Sequence, residues 1–354
     1  MLRSTIILLF AALLVHSCSS DDSNPSTLNP TTNQPTTNEW LVPVGEVFDG
    51  GPGLDGIPSI DNPQFSKASD VDFLFSNDLI LGIQVDGEIR GYPHPILDWH
   101  EIVNDRLGNE MIALTYCPLT GTGIGWDREV NDRVTTEFGV SGLLYNSNLM
   151  PFDRTTGSTW SQQRLDCVNG NLIGTRIETH TFIETTWETW LEAFPDSDVL
   201  NTDTGFNRDY RRYPYGDYRT NNSTIFPINN QDDRLHPKQR VLGVNVGGDY
   251  RAYQFSDLDG NQLFEETVGT DDVLVVSNRQ RNFIVAFRPD PAQVYTLLGD
   301  DQFPDIIQDA TGARFNILGG SSNQIRQTLD LHEQFFGFWF SWGTFYEGLE
   351  LVQL

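Results

Sequence analysis

Two residues in the first half of the chain, His100 and Cys117, have side chains that bind transition metals. Imidazole is a borderline ligand and thiolate a soft one, a pair that suits copper or zinc. Glu101 and His94 are weaker candidates, and Glu101 is alternatively a hydrogen-bond partner of an imidazole. The sequence contains no HExxH and no CxxC spacing, so it matches no standard zinc motif.

The same two residues allow other interpretations, which the sequence leaves open. The first alternative is catalytic: His100 activates Cys117 as a nucleophile. A disulfide between Cys117 and Cys167 is the second alternative, because extracytoplasmic compartments are oxidising. The third is structural: a buried histidine bonded to a turn, with the cysteine packing as a small apolar group.

Polar residues that follow Cys117 are expected to support such a site. They are Asp153, Arg154, Ser158, Trp160 and Gln162.

A calcium site is a weaker prediction. Oxygen ligands alternate at Asp257, Asp259 and Asn261, before Glu265 and Glu266, but the glycine that an EF-hand needs at its sixth position is missing. A plain turn is therefore favoured there.

Several long blocks of the chain carry a family resemblance. They are residues 99–105 (WHEIVND), 115–119 (TYCPL), 138–144 (FGVSGLL), 153–162 (DRTTGSTWSQ) and the late 338–342 (FWFSW). These resemble the blocks of the bacterial "domain of unknown function 3179" family, which implies that family's fold and location and no established activity. Many members have a second cysteine where Thr120 stands, and its absence argues against a dithiol redox couple.

The elements that must position these residues form a repeated pattern. Residues 81–92 and 242–253 both alternate apolar and polar positions around a two-residue Asp-Gly or Gly-Gly turn, which is typical of a β-hairpin. The match continues in order at 114–116 and 274–276, at 124–128 and 284–288, and at 153–157 and 309–312. The sequence therefore predicts an internally duplicated β unit.

An aromatic triplet closes both copies. The triplets are Trp187, Trp190 and Phe194 in the first copy and Trp339, Trp342 and Tyr346 in the second. Spacings of three and four residues place all three rings on one helical face. The predicted fold is mainly β with a few short helices, a β-rich α+β class. We expect a first unit over 40–204 that carries the candidate site, and a connecting loop with a second, degenerate unit over 205–354.

The two copies differ where the reactive side chains are. His100, Glu101 and Cys117 correspond to Asn261, Gln262 and Ser277 in the second copy. A residue needed only for folding is expected in both copies, so any chemistry is predicted in the first. The connecting loop at 205–230 is rich in Tyr, Arg and Asn, and either lines a binding face for a glycan or a partner or is a surface excursion.

Charge excludes several partners. The 354 residues contain 22 Lys and Arg against 49 Asp and Glu, a net charge of −27. Such a polyanion repels nucleic-acid phosphates and anionic lipid headgroups, so neither is expected as a partner. Hydrophobic residues make up 38% and aromatic residues 12% of the chain, enough for a large core.

The N-terminal residues predict a targeting signal. Arg3, an apolar run over 6–15 and a cysteine, Cys18, directly after a serine resemble a bacterial lipoprotein signal peptide over 1–18, with Cys18 as the lipidated residue. The acidic residues that follow Cys18 resemble a surface-export tag. Residues 19–39 are mostly Ser, Thr, Asn and Pro, which predicts a flexible tether. We expect an outer-membrane lipoprotein at the cell surface, bound to the membrane through its anchor alone.

Two functional hypotheses follow from these observations. The first is a metal-binding extracytoplasmic lipoprotein, with copper or zinc held by His100 and Cys117. The second is a non-catalytic surface module that binds a glycan, a protein or a small molecule. The sequence does not establish whether the protein is an enzyme.

Overall fold

A computed structural model describes residues 39–131, 134–255, 260–323, 325 and 328–352. Over these ranges the chain is mainly β, with three short α-helices, which confirms the predicted fold class. None of the described helices has the length and apolar character needed to cross a membrane. The predictions for the signal peptide and for Cys18, and those for Asp257 and Asp259, lie outside the described residues.

Strands β1 to β16 make up most of the first half, with α1 (His94–His100) after β4 and α2 (Trp187–Ala193) after β15. In chain order the strands are β1 (Val47–Asp49), β2 (Phe65–Lys67), β3 (Leu79–Val85), β4 (Glu88–Pro93), β5 (Ile102–Leu107), β6 (Glu110–Cys117), β7 (Thr122–Asp127), β8 (Glu129–Val130), β9 (Val134–Thr135), β10 (Phe138–Tyr145), β11 (Asn148–Asp153), β12 (Thr159–Ser161), β13 (Asp166–Asn169), β14 (Thr179–His180), β15 (Ile183–Thr186) and β16 (Asp198–Leu200).

The second half contains β17 to β26, with α3 (Trp339–Phe345) after β25. These strands are β17 (Arg240–Val246), β18 (Asp249–Gln254), β19 (Asn261–Val268), β20 (Asp271–Asn278), β21 (Phe283–Phe287), β22 (Tyr295–Leu297), β23 (Asp305–Asp309), β24 (Arg314–Asn316), β25 (Glu333–Phe338) and β26 (Glu350–Val352).

The two halves have a sheet of the same connectivity. In the first, the strand order is β15-β3-β4-β16, with β2 added at the edge, and in the second it is β25-β17-β18-β26. In both sheets a hairpin forms the centre, and the strand before the aromatic helix pairs antiparallel with the first hairpin strand. The strand after the helix pairs parallel with the second hairpin strand. This arrangement is what a duplicated unit requires.

Glycine in the first hairpin strand explains how the aromatic helix packs. A Cβ added at Gly82 would lie 1.9 Å from the ring of Trp190, and one added at Gly243 would lie 2.0 Å from the ring of Trp342. Both indoles are fully buried against a strand surface that has no side chain at that point. The Leu-Gly pair at the start of each predicted hairpin thus seats the tryptophan of the α-helix that follows much later in the chain.

Strand register refines the correspondence between the copies. Cys117 pairs with Thr122 at the end of the β6–β7 hairpin, and Asn278 pairs with Phe283 at the end of the β20–β21 hairpin. Cys117 therefore corresponds to Asn278, one residue beyond the Ser277 expected from the sequence pattern. Hydrophobic alternation does not reveal such a shift, because the last six residues of both strands are buried, whichever face they lie on.

The two copies share a core. Trp126, Phe138 and Trp160 of the first half pack with ring centroids 5.1 to 6.2 Å apart. The same buried cluster includes Val241 and Trp342 of the second half. The halves are therefore packed into one body, and the boundary at residue 204 stays a sequence-based prediction.

Candidate functional site

Glu101, the residue directly after helix α1, has an unusual backbone conformation. Pro93 precedes the helix in extended conformation, and Glu101 at its C-terminal end has φ +59° and ψ −30°. Its N–H bonds to the carbonyl of Leu97, and its own carbonyl accepts the N–H of Tyr116 at 2.6 Å. A left-handed conformation costs a non-glycine residue on the order of 1–3 kcal/mol. This strain turns the chain directly from α1 into β5 and points to a requirement for the side chain.

The Glu101 carboxyl group lies at the wall of a small cavity. The side chain is 6% exposed, and Tyr215 donates a hydrogen bond to Oε1 at 2.9 Å, the one hydrogen bond this carboxyl makes within the described ranges. The cavity measures about 130 Å³, and its wall is mostly apolar, including Ile57, Leu119, Val140, Leu144 and Leu149. Burial, with a smaller effect from Asp98, raises the pKa of Glu101 to about 7.

Cys117 is buried beside this region and is a free thiol. Its Sγ donates to the carbonyl of Ser147 at 3.8 Å. Burial, followed by the negative charge of Glu101, raises the pKa of Cys117 to about 11. The thiol is therefore protonated at neutral pH, which disfavours both nucleophilic attack and metal ligation.

Cys167 is also free and buried, so the disulfide alternative is wrong. Its Sγ lies 3.4 Å from the carbonyl oxygens of Thr159 and Asn169, where it donates within the β12–β13 region. Burial raises the pKa of Cys167 to about 12. Each thiol bonds to carbonyl groups near its own strand, and neither needs a disulfide partner.

Both ring nitrogens of His100 are engaged. Nδ1 lies 2.8 Å from the carbonyl oxygen of Pro58, and Nε2 lies 2.8 Å from the hydroxyl of Tyr210. Burial lowers the pKa of His100, so the neutral ring is favoured. A carbonyl only accepts, so Nδ1 carries the proton and Nε2 accepts from Tyr210. No lone pair of this ring faces Cys117 or Glu101 as a ligand or as an activating base.

His94 belongs to a different cluster. Its Nε2 lies 3.1 Å from Glu184, and its Nδ1 lies 3.2 Å from the hydroxyl of Tyr116. Arg240 donates two hydrogen bonds to Glu184, at 2.5 and 2.6 Å. Burial outweighs the carboxylate and lowers the pKa of His94. The polar cluster links β15 and β17, one strand from each half.

The predicted metal ligands do not come together as a set of donor atoms. In the parts of the chain that the structure describes, no three His, Cys, Asp or Glu side chains lie together as a potential metal site. His100 bonds to Pro58 and Tyr210, whereas Cys117 bonds to Ser147. Burial raises the pKa of Cys117 and so disfavours the thiolate that a metal would need.

The predicted supporting residues divide between two roles. Asp153 accepts hydrogen bonds from the backbone and hydroxyl of Thr156 and from Nε1 of Trp160, closing the turn after β11. Ser158 Oγ bonds to the same turn. Arg154 instead forms ion pairs with three carboxylates, those of Asp55, Asp61 and Glu137.

Gln162 is the supporting residue nearest to the strand that carries Cys117. Its fully buried amide donates to the carbonyl of Thr115 at 2.9 Å and accepts from Asn148 at 2.7 Å and from Thr122 at 2.9 Å. The amide therefore ties β6 and β7 to the neighbouring sheet. This network holds the hairpin that ends at Cys117 without reaching the cavity.

The connecting strap, residues 205–239, supplies the partners that the sequence pattern missed. Its side chains bond to three residues at the end of α1. The pairs are Tyr210 with His100 at 2.8 Å, Tyr215 with Glu101 at 2.9 Å, and Arg219 with Asp98 at 2.6 Å. The alternation of Tyr and Arg over 208–219 was the available signal. The strap covers the site rather than forming a mere surface excursion.

Comparison with family models matches residues 54–348 to a family described as "Protein of unknown function (DUF3179)". Neither the curated proteins nor the solved structures contain a significant match to the chain. The sequence blocks that include Glu101, Cys117 and Gln162 all fall within the matched residues.

Proposed function

The chain belongs to the DUF3179 family, whose description states no function, and we propose from its own geometry that it binds a small, mostly apolar molecule at Glu101. One observation carries the proposal: a buried carboxyl on a strained backbone faces an apolar cavity of about 130 Å³. Apolar pockets with a few well-placed polar groups are typical of small-molecule sites.

The size and chemistry of the cavity define the ligand class. A protein cavity of about 150 Å³ holds benzene, so about 130 Å³ suits a molecule of similar size. Glu101 and Tyr215 supply the polar end, and the carboxyl favours a ligand that donates hydrogen bonds, such as an amine or a hydroxyl group. An ammonium group would also stabilise the ionised carboxylate.

The second half is expected to be a scaffold. Gln262 and Asn278 stand where the first half has Glu101 and Cys117, so the carboxyl is absent from the equivalent position. We therefore propose one such site in each chain. The non-catalytic binding module fits this arrangement better than a metal protein, because the side chains that were candidate ligands are bonded elsewhere.

The test compares benzylamine with ethylbenzene, which has the same shape without the amine. Titration calorimetry at pH 8, where Glu101 is mainly ionised, should detect benzylamine binding to the wild-type protein. Glu101→Gln should weaken that binding at least tenfold, because it removes the charge and keeps the shape. Glu88→Gln, on an exposed hairpin residue, is the control and should bind as the wild type does. No benzylamine binding by the wild type, or equal binding by the wild type and Glu101→Gln, would contradict the proposal.

We also propose that the protein is an outer-membrane lipoprotein exposed at the cell surface. The support is the sequence pattern of Arg3, an apolar run, and Cys18 followed by acidic residues. The tether at 19–39 would then hold the folded body away from the membrane. In this setting the ligand of the Glu101 cavity comes from the surroundings of the cell.

A further inference from the structure

A second, open cleft lies at the edge of the first half. It measures about 430 Å³, and its lining comes from two segments, Ser59 to Gln64 without residues 60 and 63, and residues 203–206. The residues used below are Asp61, Asn62, Gln64, Asp203, Thr204 and Phe206. Its volume is within the range of small-molecule sites, and its polar wall distinguishes it from the Glu101 cavity.

Two sides of the cleft are held by hydrogen bonds. Asp61 accepts from Asn104 at 2.7 Å, from Ser59 at 2.9 Å and from Arg154 at 2.9 Å. Thr204 Oγ1 lies 2.6 Å from the hydroxyl of Tyr210, which bonds in turn to His100. A wall that is already positioned loses little entropy when a ligand binds.

Other polar groups of the cleft are left for a ligand. Within the described ranges the exposed side chains of Asn62 and Asp203 make no hydrogen bond or ion pair, and Gln64 uses only its Nε2, on a backbone carbonyl. They offer amide donors and acceptors together with a carboxylate acceptor. Vicinal hydroxyl groups need this mixture, because every hydroxyl both donates and accepts.

Phe206 gives the cleft an apolar surface. The side chain is 41% exposed, and its ring centroid lies 5.3 Å from that of His100, which holds it in place. An exposed aromatic ring beside amides and carboxylates can pack against the C–H face of a pyranose while the polar groups bind its hydroxyls.

We propose that this cleft binds a neutral sugar ring. The carboxylates of Asp61 and Asp203 disfavour an anionic ligand. The guanidinium of Arg154, 2.9 Å from Asp61, disfavours a metal cation at that carboxylate. The cleft is separate from the Glu101 cavity in its lining and its ligand class, so the two proposals stand independently.

The experiment uses saturation-transfer NMR on the full-length protein with the methyl glycosides of glucose, galactose and mannose. At least one glycoside should receive magnetisation. Phe206→Ala and Asp203→Ala should each weaken its binding at least tenfold. Phe75→Ala removes a phenylalanine that is 63% exposed elsewhere and should leave binding unchanged. Glu101→Gln should also bind the sugar normally, which separates this site from the cavity.

Three results would overturn the proposal. The first is no transfer to any of the glycosides. The second is glycoside binding that Phe206→Ala and Asp203→Ala leave unchanged, because binding would then occur elsewhere. The third is binding of Ca²⁺ alone, lost in Asp203→Ala, with no glycoside binding, since the cleft would then be a cation site. Circular dichroism of each variant shows whether it is folded.

Discussion

At the scale of single residues, Glu101 has a backbone conformation and a buried carboxyl group that are both unfavourable for stability. The backbone is left-handed, the carboxyl group is buried, and among the described residues only Tyr215 donates a hydrogen bond to that group. A glycine would fit the backbone better, and a glutamine would avoid the buried charge. Strain and burial of this kind concentrate at binding sites, where function maintains them against stability.

The first prediction is that Glu101→Gln stabilises the protein at alkaline pH. The pKa of Glu101 is about 7 in the folded chain against an ordinary 4.5, so the folded state binds the proton more tightly than the unfolded state. Stability is therefore lost as pH rises from 4.5 to about 7, by on the order of 3 kcal/mol.

Urea unfolding at pH 8 and pH 4.5 measures this effect. The variant should have the higher free energy of unfolding at pH 8 and nearly the wild-type value at pH 4.5, because glutamine does not titrate. Glu88→Gln keeps Glu101, so its free energy of unfolding should follow the wild-type pH dependence. A variant less stable than the wild type at pH 8 would show that the carboxyl group is needed for folding.

His100 and Cys117 show how reactive residue types become structural. The histidine positions the strap through Tyr210, and the cysteine is a protonated thiol that donates to Ser147. The two hydrogen bonds of His100 occupy both ring nitrogens, and burial disfavours the thiolate of Cys117. The structural alternative left open for these residues therefore agrees with their contacts.

At the scale of elements, each aromatic helix packs its tryptophan against a glycine of a distant hairpin. Trp190 packs on Gly82 and Trp342 on Gly243, so the same contact occurs once in each half. A strand pair with no side chain at this point gives the indole a flat surface and keeps the helix close to the sheet. Close packing of this kind leaves no space for an added methyl group.

The second prediction is that Gly82→Ala and Gly243→Ala destabilise the protein to a similar extent. The added Cβ would lie 1.9 or 2.0 Å from an indole carbon, so the helix or the ring must move. We expect a loss of about 1–3 kcal/mol for each, as in overpacked cores. Thermal unfolding measures it. Gly45→Ala is the control, because its added Cβ meets no atom within 4 Å. Wild-type stability of both variants would contradict this packing.

The contacts of the strap with the end of α1 show why the sequence did not predict its part in the site. Its bonds to His100, Glu101 and Asp98 join residues more than a hundred positions apart. No local periodicity encodes such contacts. The composition of the strap indicated a polar, aromatic segment and left its role open between a binding face and a surface excursion.

At the scale of the whole molecule, the two halves share a core, and Glu101 lies in the first half. The net charge of −27 belongs to the full chain and favours solubility over binding to other polyanions. The second half packs against the first in this core, whose buried residues come from both halves.

The third prediction concerns the N-terminus. If Cys18 is the lipidated residue, Cys18→Ala should move the protein from the membrane fraction to the soluble fraction and abolish labelling with a palmitate analogue. Cys167→Ala is a matched control, since that thiol is buried and should leave fractionation unchanged. Protease treatment of intact cells tests surface exposure. Labelling that persists in Cys18→Ala would contradict the predicted anchor.

The sequence by itself determined the β-rich fold class, the family and the half of the chain in which to look. Alternation and turn residues are local properties of the chain, so the repeated hairpins and aromatic triplets could be recognised without coordinates. Asp153 illustrates this, because its bonds to Thr156 and Trp160 lie within a few residues of it.

Only the tertiary structure decided what the candidate residues do. It gave His100 and Cys117 different partners, showed Cys117 and Cys167 to be free, and brought Tyr215 of the strap to Glu101. It also shifted the equivalent of Cys117 to Asn278. The physical reason is that a side chain's protonation and partners depend on burial and on contacts between distant segments, which composition and spacing do not encode.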